Sequence, residues 1–324
     1  MENFKAMENM KRLETLCIAG AVAVLAVSCG KEEAVREDGA SKVGFTAAEL
    51  QVKTVFGEKA DGEYPVLWTS NEKVALFYNS QTGNQTGGGQ YADVLPSADG
   101  HTAGFSASFT DDGNGSHSFY AMSPLSALNW MGNEDWDGNG VNEKILYANI
   151  PCDQIPVPGT CDEKAQIVFA KEEFSEFPDK VDLTFSHMTA YGLITSLSLP
   201  EEATEIVGLK IESDKFLSGE IYCNYNTPET ILCNANANTA LKYIYLDVEK
   251  GGLKAKTLEN VFFACTPQTD GNDVFGEGDY LKFTVYTDTD TWVKTVNFSA
   301  DRTLAFKTGR ISSFSVSAHG FEKQ

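Results

Sequence analysis

Val181-Asp182-Leu183-Thr184-Phe185 puts three apolar side chains on one face of an extended chain and two polar ones on the other. A period of two is that of a β-strand with one side buried. Tyr243-Ile244-Tyr245-Leu246-Asp247-Val248 and Leu281-Lys282-Phe283-Thr284-Val285 alternate in the same way. Val74-Ala75-Leu76-Phe77-Tyr78 and Val261-Phe262-Phe263-Ala264 are apolar on both sides, as expected of central strands covered on two faces. Clusters of Gly, Asn, Asp and Pro separate these runs, and no window sustains an apolar stripe at helical spacing over three turns. Short helices are predicted only at 123–131 and 172–177. The chain reads as all-β with sandwich packing.

Composition supports this. Phe 20, Tyr 12 and Gly 28 outnumber Met 6 and Pro 10, a bias toward pleated sheet and turns. Of 324 residues, 42% are hydrophobic, enough for one or two packed cores, and 25 Lys+Arg against 46 Asp+Glu leave a formal charge of −21. Such a surface repels phosphate backbones and anionic head groups, which argues against nucleic acid as a partner and against electrostatic docking to membranes. The chain is long for one sandwich, and Pro178-Asp179-Lys180 before a fresh strand marks a seam. Two sandwich domains are therefore expected, at 43–180 and 181–324. No period of a solenoid or propeller recurs.

The beginning is of another kind. Met10-Lys11-Arg12 precedes an apolar run from Leu16 to Val27, and Ser28 and Cys29 follow. The run is shorter than the roughly 20 apolar residues of a membrane span, and 1–28 reads as a secretory signal. Cys29 stands where a lipobox places the cysteine that bacterial lipoproteins acylate, although Ala26 occupies a place where Leu is commonest. That resemblance implies lipidation of Cys29 and attachment to the outer membrane. Residues 29–42 are polar and aperiodic, a flexible tether. Their acidic stretch resembles the export signal of Bacteroidales surface lipoproteins, with a merely solvated linker as the alternative.

Few residues suggest chemistry. Cys152, Cys161, Cys223, Cys233 and Cys265 lack metal or redox spacing, and their connectivity stays open. His101, His117, His187 and His319 are scattered, and the metalloprotease, nucleophile-elbow and nucleotide-binding signatures are absent. The chain reads as a non-enzyme. Asp135-Trp136-Asp137-Gly138-Asn139-Gly140 matches the opening of a calcium loop, with Asp135, Asp137 and Asn139 as oxygen ligands. Its twelfth place is Leu146 instead of Glu, and a solvated turn cluster is the alternative. Trp130, Met131 and Trp136 form a candidate adhesive patch, or else cover a core under a long loop.

Three islands resemble the fimbrillin family, pilin subunits and related surface lipoproteins of Bacteroidales that build type V pili. The first is Val43-Gly44-Phe45-Thr46-Ala47 with Lys53-Thr54 and Trp68-Thr69-Ser70-Asn71-Glu72-Lys73-Val74-Ala75-Leu76-Phe77. It is similar to the family's opening strand, basic-Thr turn and W-x-x-G-D-x-I-x-L-F strand, with Asn71-Glu72 replacing Gly-Asp. The second, Phe185-Ser186-His187-Met188-Thr189-Ala190, is similar to the F-x-H-x-x-A segment that opens the family's second domain. The third, Phe306-Lys307-Thr308-Gly309-Arg310-Ile311-Ser312-Ser313-Phe314, is similar to its closing strand.

The resemblance implies two tandem transthyretin-like β-sandwiches and assembly with other fimbrial subunits by strand exchange. The exchanged strand would be Val43-Gly44-Phe45-Thr46-Ala47, with the C-terminal stretch 311–324 as donor or as the chain's own closing strand. Cleavage after Arg36 would leave the first strand attached, so a cut after Lys53, or none, stays open. The rival readings are a non-polymerising surface lipoprotein that binds a glycan or host ligand, and a surface glycan hydrolase.

Overall fold

The structure, a computed structural model, describes residues 40–47, 55–56, 66–135, 138–227, 231–234, 238–267 and 274–324. The first half runs β1 (Ala40–Ala47), β2 (Val55–Phe56), β3 (Val66–Leu67), β4 (Lys73–Tyr78), β5 (Gln90–Asp93), β6 (Leu95–Pro96), β7 (Ala103–Thr110), β8 (His117–Ser123), β9 (Leu128–Glu134), β10 (Glu143–Ile150), β11 (Asp153–Gln154) and β12 (Val168–Phe174). Next come β13 (Lys180–Leu183), β14 (Phe185–His187), β15 (Ala190–Ser198), β16 (Ile206–Ser213), β17 (Gly219–Asn224) and β18 (Ile231–Cys233). The last are β19 (Tyr243–Leu246), β20 (Thr257–Cys265), β21 (Tyr280–Thr287), β22 (Thr291–Asn297), β23 (Ile311–Val316) and β24 (Glu322–Lys323). The protein is all-β, as its periodicity predicts; among the described residues the helical segments are single 3₁₀ turns at Leu125–Ala127 and Glu163–Ala165. The helix expected at 172–177 is instead the end of β12, which pairs with β8 on one side and β14 on the other. Pairing with β8, which runs on through Phe174, overrides the local preference of Lys171-Glu172-Glu173.

The strands join as β13-β1-β7-β6, β14-β12-β8-β4-β5, β18-β17-β10-β9, β11-β19-β16-β21-β22-β24 and β20-β15-β23, with β2-β3 as a short pair. One core lies between the first two sheets, where Val43 and Phe45 of β1 and Phe105 and Phe109 of β7 meet Val74, Leu76 and Phe119. The opposite face of β4, β8 and β12 packs against β10 and β17, through Ala75, Phe77, Met122 and Phe169 on one side and Leu146, Ala148, Ile221 and Cys223 on the other. This explains the unbroken apolar run of β4, whose odd and even positions enter two different cores. The same holds for β20. Val261, Phe263 and Cys265 enter the core shared with β16, β19 and β21, and Phe262 and Ala264 face Cys161, Ala165 and Tyr191.

Pairing crosses the seam expected near residue 180. β13 lies parallel to β1, and β14 pairs with β12, so the residues expected to open a second domain complete the first sandwich. Further on, β17 pairs with β10 and β18 with β17, while β11 runs parallel to β19. The Gln154 amide fastens that crossing, donating to the Ala264 carbonyl at 2.7 Å and accepting from the Ala264 N–H at 3.0 Å. Pro178-Asp179 marks a turn that returns the chain to β1, and turn residues signal a change of direction, not the end of a core.

The C-terminal stretch is the chain's own closing structure. β23 runs parallel to β15, and β24 pairs with β22. Phe321 is buried, and Lys323 meets Asp290 at 2.7 Å.

Candidate functional site

β1 is an interior strand of its sheet. It runs antiparallel to β7 from Ala40 opposite Thr110 to Ala47 opposite Ala103, and parallel to β13 from Gly44 to Ala47. Alternation turns Val43, Phe45 and Ala47 inward, where each is at most 2% exposed. The Phe45 ring stacks on Phe105 at 5.7 Å and meets Phe109 and Phe119 edge-on. Thr46, on the outer face, donates a hydrogen bond to Asp182. Without β1, the backbone groups of β7 and β13 would face each other unpaired across a groove floored by Phe105, Phe109 and Phe119. An extended segment with apolar alternate residues fills such a groove.

The calcium-loop residues divide. Asp137 and Trp136 lie outside the described residues. Asp135 accepts the Gly140 N–H at 3.0 Å and Asn139 accepts the Val141 N–H at 2.7 Å. Both side chains thus take part in local turns. Cys29 and the signal and tether residues 1–39 also lie outside the described residues, as do Lys53-Thr54.

Among the described residues, Asp111, Asp112 and His117 gather close enough to share an ion, a group the sequence reading missed because its members look like a turn and a lone histidine. The Tyr78 hydroxyl lies 2.7 Å from Nδ1 of buried His117 and donates to Asp112 at 3.1 Å. Asn79 donates to the other Asp112 oxygen at 2.6 Å and holds that carboxyl down at about 2. Burial raises Tyr78 to about 12. These bonds fasten the β7–β8 turn to the end of β4.

The expected patch of Trp130, Met131 and Trp136 is replaced by another. Met131 is buried in the core beneath β9, one pleat out of phase with Trp130. Trp130 is 36% exposed on the outer face, opposite Tyr147 of β10, which is opposite Tyr222 of β17. The rings follow one another at 5.7 and 5.5 Å, with planes 34° and 30° apart. Trp130 lies over Gly132, where a Cβ would come within 1.9 Å of its six-membered ring. Polar groups flank the row: Tyr147 donates to Glu134 at 2.8 Å, and Glu220 accepts from Asn129 and, at 2.6 Å, from Asn234. Burial, then the Glu134 carboxylate, pushes the Tyr147 hydroxyl well above the usual range. Matching strand parity at 130, 147 and 222 was the available sequence signal, but the register that aligns them is set by folding.

No protein-family model matches the chain, and no curated protein matches it in sequence. Solved structures do. A Bacteroides uniformis protein provisionally described as a cell adhesion protein is 14% identical over 89% of this chain and 97% of its own, with a TM-score of 0.46. A Bacteroides ovatus protein of the same description is 13% identical over 89% and 96%, also at 0.46. A fimbrial assembly protein from Parabacteroides distasonis is 10% identical over 88% and 94%, at 0.39. Over most of its length the chain is thus similar to structures of Bacteroidales proteins provisionally described as acting in cell adhesion, and to one described as acting in fimbrial assembly.

Proposed function

We propose that this chain is a non-enzymatic, lipid-anchored surface protein of the fimbrillin type, a pilus subunit or pilus-related adhesin of the outer membrane that assembles through its first strand. The observation that carries this reading is β1: a short segment, first among the described strands, whose removal would open a slot with an apolar floor and unpaired backbone groups along its two walls. The three sequence islands support it independently. β23 and β24 are paired within the chain's own sheets, which favours the C-terminal stretch as the chain's own closing strand and the chain as an acceptor, in a terminal or accessory position. Surface material sheared from native cells should contain SDS-resistant ladders that include this chain, and its recovery as monomer alone would count against assembly. Anchoring is tested separately: palmitate label should enter the wild-type protein and be lost in Cys29→Ala.

A further inference from the structure

The solvent face of β18-β17-β10-β9 carries a row that neither the core nor strand exchange uses. Trp130, Tyr147 and Tyr222 stand one per strand on adjacent strands. At ordinary strand spacing they span about 10 Å, room for about two sugar rings. We infer that this face binds a neutral oligosaccharide laid along the ridge of the three aromatic side chains, its hydroxyls meeting the flanking carboxylates and amides.

Three observations favour that ligand. The rings follow one another as an offset row, inclined 34° and 30° at 5.7 and 5.5 Å, an apolar ridge; a cage for a cationic group would surround its guest with aromatic faces. Glu220 is held by two amides and Glu134 by the Tyr147 hydroxyl, so these acceptors are oriented before any ligand arrives. Preorganised polar groups beside an apolar surface are the usual makings of a small-molecule site. Finally, the carboxylates of Glu134 and Glu220, on a chain of net charge −21, repel sulfated, sialylated or phosphorylated ligands. The plain alternative is that the row braces the sheet as cross-strand aromatic pairs do. It predicts no ligand.

The full secreted chain should be titrated with a panel of neutral gluco-, manno-, xylo- and galacto-oligosaccharides, and with sulfated and sialylated counterparts, by calorimetry. At least one neutral member should bind and the anionic ones should not. Trp130→Ala should weaken binding by about tenfold or more. Gly132→Ala keeps every ring but places a methyl where the indole lies, and should weaken binding as well. Melting curves of both variants verify folding. Binding of none of the neutral sugars, or unchanged affinity in folded Trp130→Ala and Gly132→Ala, overturns the proposal. A preference for anionic sugars overturns it too. The inference is independent of assembly, since it concerns a face remote in pairing from β1, and failure of one reading leaves the other standing.

Discussion

Phe45 shows what one side chain contributes here. It is 2% exposed and touches three other phenylalanines, so Phe45→Ala loses both burial and packing and should cost about 3–5 kcal/mol. Urea denaturation measures it; a cost near zero would mean that β1 contributes little to the core. Lys144 offers the opposite case, a buried charge. Its ammonium donates to the Gln81 carbonyl at 2.8 Å and lies 5.5 Å from the Tyr120 ring, which Lys171 also approaches. Burial pulls it down from 10.5 to about 8. Between those two values the unfolded chain binds more protons than the folded one, so this residue makes stability rise with pH there, and its full penalty applies below about 8. Lys144→Gln should therefore melt higher than wild type near neutrality, with the gap closing as pH rises through that window. A gap independent of pH would assign the effect to packing. Of such details the sequence disclosed the parity that turns Phe45 inward. It did not disclose the burial of Lys144, because Lys144 alternates with Glu143 and Ile145 in a strand whose inner face only the folded sheet defines.

At the level of elements, the unbroken apolar runs of β4 and β20 announced strands covered on both faces, and both are. The neighbours of β1 were not legible. Five residues with a glycine do not show their partners, and nothing in Lys180–Leu183 states that it returns to pair with Gly44–Ala47. That placement leads to a complementation experiment. Protein cut so as to lose residues through Ala47 should recover its melting temperature when a synthetic peptide of residues 40–47 is added, since a ligand that binds only the folded form raises stability by mass action. The same peptide with Phe45→Asp should give no recovery. Equal recovery with both would show that the slot does not select apolar alternation.

For the whole molecule, the three islands of resemblance converge. Trp68 meets Phe185 edge-on at 5.2 Å, and the His187 ring lies where a Cβ on Gly309 would come within 2.8 Å of it, with Gly309 at φ +66. Short motifs far apart in sequence thus mark one junction. Strands also cross between the halves, β17 and β18 to one side and β11 to the other. Residues 43–180 alone therefore lack two strands of a sheet they need, and Gly39–Gln324 should unfold in one transition. Trp68 and Trp292 report on different cores. With Trp130 and Trp136 replaced, a variant retaining only one of the two should give a fluorescence midpoint in urea that coincides with its own far-UV circular-dichroism midpoint; separated midpoints within one variant would establish independent folding units.

The mixed pairing of β1 has a directional meaning. One wall of its slot is antiparallel to the occupant and the other parallel. Reversing the occupant would demand evenly slanted bonds where narrow and wide pairs now alternate, and the converse across the slot. Such a socket accepts a strand in one sense only. A contact made through it joins a donor segment to an acceptor slot, two different surfaces, so unless two copies swap strands reciprocally it runs head to tail and does not close on itself. A fibre whose subunits join through such slots would be a vector, with distinguishable ends.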